Sequence, residues 1–243
     1  MLTTAQAAPY QPTPMPDRSP SKKAPSRKAV SPSTRTSARK RVDTTEVVRD
    51  RLLQCATVLF ATRGFDGTSM ADVAAAGSLS KASVLYHFQS KDLLWQECVD
   101  QLWRDVDAFM ATHGVGTGTL PATAEGFARL LRTYLLTCRH FPAYVSIPAL
   151  EGQGDTWRAR WLAERHLRRH LTATVGYLGT LHTAGVLRGR DSFMTQALIG
   201  GGAQLLLGQF ALWHATDKHA EETDALIEEY ISEVLTLFVV RHA

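Results

Sequence analysis

Cysteine is scarce in this chain of 243 residues, confined to Cys55, Cys98 and Cys138. An odd number of widely spaced thiols with no C-x-x-C pair excludes a disulfide framework and a zinc ribbon, and fits a reducing cytosol. Strand signals are lacking too: there is no sustained apolar–polar alternation and no Asn-Gly hairpin turn. Beyond residue 43 proline is rare, since seven of the ten lie before it. Residues 1–16 carry no basic start and no apolar block of seven or more, so a secretory signal is not expected. Missing as well are a G-x-S-x-G elbow, a phosphate loop, a zinc motif and a paired nucleophile and base. Neither catalysis nor a cofactor nor a metal is therefore expected.

What is present is a core-forming composition, 44% hydrophobic and 21% charged, which excludes a wholly disordered chain. The net charge of +4 is divided unevenly. Residues 1–43 hold nine Lys/Arg against two Asp, and residues 44–243 hold eighteen against twenty-one acidic residues. The first segment, rich in Pro, Ser, Thr, Lys and Arg, reads as a disordered basic tail. It serves either as a solvated leader or as an arm for a polyanion, of which nucleic acid is the first candidate. Between Asp191 and Asp217 no formal charge occurs, a length that would cross a membrane. Gln196, Gln204, Gln209, His214 and the run Gly200-Gly201-Gly202 argue instead for a buried helix in a soluble cytoplasmic protein, with no membrane partner.

From Asp43 onward the periodicity is helical, and about nine helices are expected in an all-α fold. The first spans Thr44 to Arg63, with Asp43 and Glu46 at capping-box spacing and Val48, Leu52, Ala56, Leu59 and Phe60 on one stripe. Gly64 stands where a C-terminal glycine belongs. Two short helices follow, Met70 to Ala76 capped by Ser69, and another from Ser80 to about Phe88. A long helix runs from Lys91 to Thr112. Further helices are expected from Pro121 to His140, after Pro142, from Thr156 to Ala184, from Ser192 to Thr216 and from Ala220 to Arg241. A glycine-rich loop, Gly114 to Thr119, precedes the first of these.

Two short helices joined by a tight glycine turn, with a third before them, make a helix-turn-helix unit. If Val84 and Phe88 face inward, then Ala82, Ser83 and Tyr86 face outward, flanked by Leu85 and His87. Small and hydrogen-bonding residues on that face suit the base edges of a major groove. The helix starts at Ser69, Ser80 and Lys91 suit phosphates, with Lys81 and Lys91 adding charge. The structural alternatives are that Ser69 and Ser80 only cap helices, that Tyr86 packs on the next helix and that His87 is a surface histidine.

The stretch Arg51 to Leu94 resembles the N-terminal domain of the TetR family of transcriptional regulators. The resemblance rests on Ala56 and Phe60, Gly64-Phe65, Thr68-Ser69, Val73-Ala74, Gly77, Ser80-Lys81, Tyr86-His87-Phe88 and Ser90-Lys91-Asp92-Leu93-Leu94. It implies an all-helical homodimeric regulator. Residues 1–43 would be the tail, 44–95 the helix-turn-helix DNA-binding domain and 96–243 a helical effector-binding and dimerisation domain. It implies double-stranded DNA with an inverted-repeat operator as partner, and release by an unknown small-molecule effector. Two positions depart from the family pattern. Leu85 stands where Tyr is frequent, and Ala71 where a base-reading polar residue sometimes occurs. Residues 44–95 balance five basic against five acidic residues, so the tail is expected to supply part of the affinity. A constitutive or architectural DNA-binding protein without an effector is the alternative.

By the same resemblance the last two helices, about 192–216 and 220–241, pair with a second copy. Aromatic residues in the middle helices, Trp103, Phe127, Tyr134, Tyr144, Trp161 and Tyr177, are candidates for an effector-pocket wall, although aromatics at helical spacing are usually core. His166 and His170 share a helix face, but the neighbouring arginines repel a cation, and H-E-x-x-H is absent. The arginines at 158, 160, 165, 168 and 169 read as a solvated face, or else as the wall of a pocket for an anionic effector.

Overall fold

The structure, a computed structural model, describes residues 35–116, 120–189, 191–209 and 223–240, with the side chains of 35–44 and 223 left aside. The expectations for the tail before residue 35, for part of the glycine-rich loop and for the outer ends of the last two helices lie outside the described residues. The chain divides into two compact units, Met1–Arg41 and Val42–Ala243. The contacts below belong to the second.

Helix α1 (Arg35–Arg63) begins ahead of the expected start at Thr44, so Asp43 lies inside it and does not cap it. Pro32 is the last proline before this helix, and residues 35–43 contain no proline or glycine to stop a helix from propagating backward. The apolar stripe of α1 is realised, with Leu52, Ala56, Leu59 and Phe60 buried. It ends at Gly64, whose φ of +71° is a conformation only glycine adopts without strain.

Helix α2 (Met70–Ala76), α3 (Lys81–His87) and α4 (Lys91–Thr112) follow. Between α2 and α3 the left-handed residue is Ser78, at φ +54°, and not Gly77. Gly77 has another reason to lack a side chain: a Cβ there would meet Leu52 Cδ2 at 3.1 Å and the Val73 carbonyl oxygen at 3.3 Å. The glycine thus lets the turn lie directly against α1.

Helix α5 (Ala124–His140) is capped by Thr123, and α6 (Pro142–Glu151) opens on a proline whose fixed φ suits a first turn. The single helix expected from Thr156 to Ala184 is interrupted. Helix α7 (Trp157–Leu162) passes through a π-helical turn, Ala163–Leu167, into α8 (Arg168–Thr183). The wider turn changes which side chains follow one another on a face. Helix α9 (Ser192–Gly208) stops short of the expected Thr216, at a glycine, the weakest ordinary helix former. Helix α10 (Thr223–Phe238) closes the fold. With α7 to α8 taken as one bent rod, the described residues hold nine helices. Their single β-bridge pairs Leu187 with Val239 and ties the α8–α9 connection to the end of α10.

Two apolar clusters form the interior. The first joins α1 to α4 with Ile147 of α6 and Leu162 of α7. The second joins Phe127, Leu131 and Leu135 of α5 to α8, α9 and α10. Trp95, Trp103, Phe60 and Phe88 in the first cluster and Phe127 in the second are the largest fully buried side chains, each worth about 1.5–3 kcal/mol or more on burial. Arg132 pairs with Glu228 and Arg139 with Asp224, joining α5 to α10. Among the described residues no helix is long and apolar enough to cross a membrane.

Candidate functional site

The short helix α3 is built from both sides. Val84 and Phe88 are buried against α1 and α4, at 0% and 1% exposure. Opposite them Lys81, Ala82, Leu85 and Tyr86 are exposed, with Ser83 and His87 half-buried. Tyr86 stands out most, at 79%, its ring edge-on to that of His87 at 5.2 Å. An exposed tyrosine carries a large amphipathic surface and an available hydroxyl into solvent, which is the property a groove contact uses. The outward face expected for α3 is therefore present.

The three helix starts differ from one another. Ser80 Oγ accepts the Ser83 N–H at 3.1 Å, and Ser90 Oγ accepts that of Leu93 at 3.2 Å, so both serve as caps. Ser69 is more fully used. Its Oγ accepts the Asp72 N–H and donates to Asp72 Oδ2, which also accepts the Ser69 N–H at 2.8 Å. The Ser69 hydroxyl is spent inside this capping box. Its hydrogen bonds hold the Asp72 carboxyl below the usual carboxylate range. Lys91 is not a free cation either, since its Nζ lies 4.1 Å above the Phe65 ring.

Phe65, in the turn between α1 and α2, is where the helix-turn-helix meets the helices that follow. Its ring stacks on Phe60 at 6.0 Å and meets Trp95 and Trp157 edge-on. The Arg158 guanidinium also lies 4.1 Å from it. Arg158 Nε donates to both Glu151 oxygens at 3.0 Å, in a pair that is almost wholly buried, and Nη2 lies 3.5 Å from Asp66. The sequence offered no sign of this latch. Glu151 and Arg158 are separated by a loop, and helical spacing says nothing across a loop.

Of the arginine run, Arg160, Arg165, Arg168 and Arg169 are exposed as a solvated face would be, Arg158 is buried, and three of the exposed four form ion pairs. Arg160 pairs with Asp155, Arg165 with Asp100 and Arg169 with Asp107. The histidines join the same carboxylates: His166 Nε2 is 2.8 Å from Asp100, and His170 Nε2 is 3.0 Å from Asp107. Burial pushes both imidazoles below their ordinary pKa, opposed by the carboxylates.

Two cavities adjoin these groups. A cleft of about 650 Å³ between α4, α5 and α8 is lined by Asp107, Met110, Leu130, Arg169, His170 and Tyr177 among others. A small cavity of about 40 Å³ lies deeper, against Phe127, Tyr134 and Ile199. Of the expected pocket aromatics, Tyr177 lines the cleft, and Phe127 and Tyr134 line the small cavity. Trp103, Tyr144 and Trp161 line neither. Trp103 packs on Tyr144 at 5.4 Å and on His166 at 5.0 Å, and Trp161 packs on Trp95 at 5.5 Å. These three fill the seam between α4 and the α6–α7 region. Of the arginines offered as a possible pocket wall, Arg169 alone lines the cleft, and Asp107 and His170 beside it were not foreseen, because charge alone does not say which residue of a run faces a cavity.

Residues 52–98 match the sequence model of the bacterial regulatory proteins, tetR family. The biofilm operon icaADBC HTH-type negative transcriptional regulator IcaR of Staphylococcus aureus is 36% identical over 52 residues, 21% of this chain and 28% of that protein. Its Staphylococcus epidermidis counterpart is 27% identical over 67 residues, 27% of this chain and 36% of that protein. The match thus spans well under half the length of either relative. The ketosteroid transcriptional regulator KstR2 of Mycobacterium tuberculosis has a similar fold, with TM-score 0.62 and 20% identity over 79% of this chain and 95% of that one. So does AibR, solved in complex with isovaleryl coenzyme A and operator DNA, with TM-score 0.63 and 19% identity over 79% of this chain and 98% of that one.

Proposed function

We propose that the chain, whose residues 52–98 match the tetR family of bacterial regulatory proteins, is a homodimeric repressor released from an inverted-repeat operator by a small-molecule effector. The observation that carries this reading is the two-sided α3, anchored by Val84 and Phe88 and presenting Lys81, Ala82, Ser83, Leu85 and Tyr86 outward. Residues 44–95 contact DNA in this reading, through base edges at Ala82, Ser83 and Tyr86 and through phosphates at Ser80, Lys81, His87 and the α4 start at Lys91, while Ser69 serves as the cap of α2. Residues 96–243 sense the effector and dimerise. Repression has support from IcaR, a negative regulator, and the binding of a small-molecule effector from AibR, solved in complex with isovaleryl coenzyme A and operator DNA.

Self-association has support from exposed apolar side chains on α9. Met194 and Leu198 are 52% and 62% exposed, and a Cβ added at Gly201 would meet nothing within 4 Å among the described residues. Leu237 of α10, 62% exposed, adds to them. An apolar strip of this kind on a terminal helix pair is the usual material of an obligate dimer interface. A twofold dimer would set its two α3 helices about 34–36 Å apart, one turn of DNA.

The test is selection of bound duplexes from a random pool at fixed, near-physiological salt, with full-length protein and a Ser83→Ala, Tyr86→Ala double variant. The expected result is an inverted repeat recovered by the wild type and lost by the folded variant. Recovery of no motif, with binding that scales with salt alone, refutes the repressor reading in favour of an architectural role.

A further inference from the structure

The cleft between α4, α5 and α8 is apolar on most of its surface, through Met110, Ala111, Val115, Leu120, Leu130 and Ala173. Its volume falls in the range of about 300–1,000 Å³ typical of small-molecule sites. Several of its polar groups are already used. The Tyr177 hydroxyl donates to the Pro121 carbonyl at 2.8 Å, and the Thr180 hydroxyl donates to the Tyr177 carbonyl at 2.7 Å.

One part of the wall is different. Arg169 engages Asp107 and His170 through Nη2 alone, so among the described residues the other N–H donors of its guanidinium have no partner. Asp107 is the sole carboxylate among the residues lining the cleft. Arg169 therefore brings a permanent cation with unused donors to the rim of an apolar hollow, where low-dielectric walls strengthen the attraction for an anion. A guanidinium with unused planar donors is matched in shape by a carboxylate or a phosphate.

We infer that the cleft binds an amphiphile with one terminal anion, its alkyl body along the apolar wall and its head replacing Asp107 on Arg169 and His170. This rests on the effector reading above and names the ligand class. Helix α4 carries two clamps to the rod that packs on it, seven residues apart. Asp100 holds Arg165 and His166, and Asp107 holds Arg169 and His170. Only the second borders the cleft. An anion that takes over Arg169 frees Asp107 and with it the C-terminal half of the helix that starts directly after α3. Occupancy is thereby linked to the DNA-contacting unit through an exchange of partners on one arginine.

The test is calorimetric titration of the full-length, DNA-free protein with three matched series of straight-chain compounds: fatty acids, alkyl phosphates and alcohols. All are used below their micelle concentrations. The expected result is that an acid or a phosphate binds about tenfold or more tightly than the alcohol of equal length, as one charge-assisted contact provides. The better of the two anionic series identifies the head group. Arg169→Ala is expected to abolish the preference for the anion. Asp107→Asn, which removes the competitor while keeping its shape, is expected to tighten anion binding and leave alcohol binding unchanged. Equal or tighter binding of the alcohols, a preference that survives Arg169→Ala, or no binding in any series overturns the inference. Operator release is read in a separate titration. An anion bound without release counts against the effector reading and leaves the site standing.

Discussion

Replacing Glu151 with alanine removes the buried partner of Arg158 and leaves the cation where it is. Their side chains are 6% and 11% exposed, and Arg158 Nε reaches both carboxylate oxygens at 3.0 Å. The Thr156 hydroxyl, which donates to Glu151 Oε2 at 3.2 Å, loses its acceptor as well. Breaking one side of such a pair costs about 3–5 kcal/mol, because the remaining charge stays desolvated. Two groups blunt the loss here. Asp66, at 3.5 Å, remains but is largely solvated, and the Phe65 ring remains at 4.1 Å. The expected cost is therefore near the lower end, about 3 kcal/mol, or a fall in Tm of about 6–12 °C for a chain of this size. The companion variant, Glu151→Leu with Arg158→Met, removes both charges and is expected to lose less than about 2 kcal/mol, despite two fewer hydrogen bonds. Urea unfolding at one fixed protein concentration measures both, so that any self-association bears equally on each variant. A loss below about 1 kcal/mol in Glu151→Ala, or a double variant as unstable as the single one, refutes the claim that this latch is held by a desolvated ion pair.

Two further outcomes follow from the same geometry. His166 and His170 have folded-state pKa values lowered by burial, so the unfolded chain takes up protons first as pH falls. Their contribution to stability is full above the unfolded value of about 6.5 and is lost as pH drops through the folded values. Denaturation midpoints between about pH 8 and 5 are expected to decline on the acid side, and His166→Gln with His170→Gln to flatten that decline; an unchanged slope contradicts the assignment. Leu198→Glu places a charge on the exposed stripe of α9, where a single chain tolerates it and a dimer does not. Light scattering is expected to find monomers with unchanged helicity by circular dichroism, and a persistent dimer places the interface elsewhere.

The helices were legible because their causes are local. The Ser69, Ser80 and Ser90 caps, the stripe of α1 and the alternation of Val84 and Phe88 with Tyr86 depend on neighbours three or four residues away. Errors came where a local rule had no stop signal or a competing one. Helix α1 ran back to Arg35 for want of a breaker, and α9 ended at a glycine inside an apolar run. The π-helical turn between α7 and α8 left no mark in composition.

The candidate site divides along the same line. The outward face of α3 follows from helical geometry plus two inward anchors, and so was readable. The cleft depends on which face of α8 meets α4, a matter of packing between segments some sixty residues apart, as in the pairing of Arg169 with Asp107. Aromatic content could not separate Tyr177, on the cleft, from Trp103, in the core, because both are large apolar groups at helical spacing. An all-helical chain and the two-sided α3 follow from the amino-acid order alone, since periodicity and capping are short-range properties. Packing settled that Arg158, Arg160, Arg165 and Arg169 are paired, that Phe65 is gripped by Lys91 and Arg158, and that one Arg–His–Asp cluster borders a hollow. Charge pairing and cavity walls are made by residues far apart in the chain, and no local pattern encodes which of them meet.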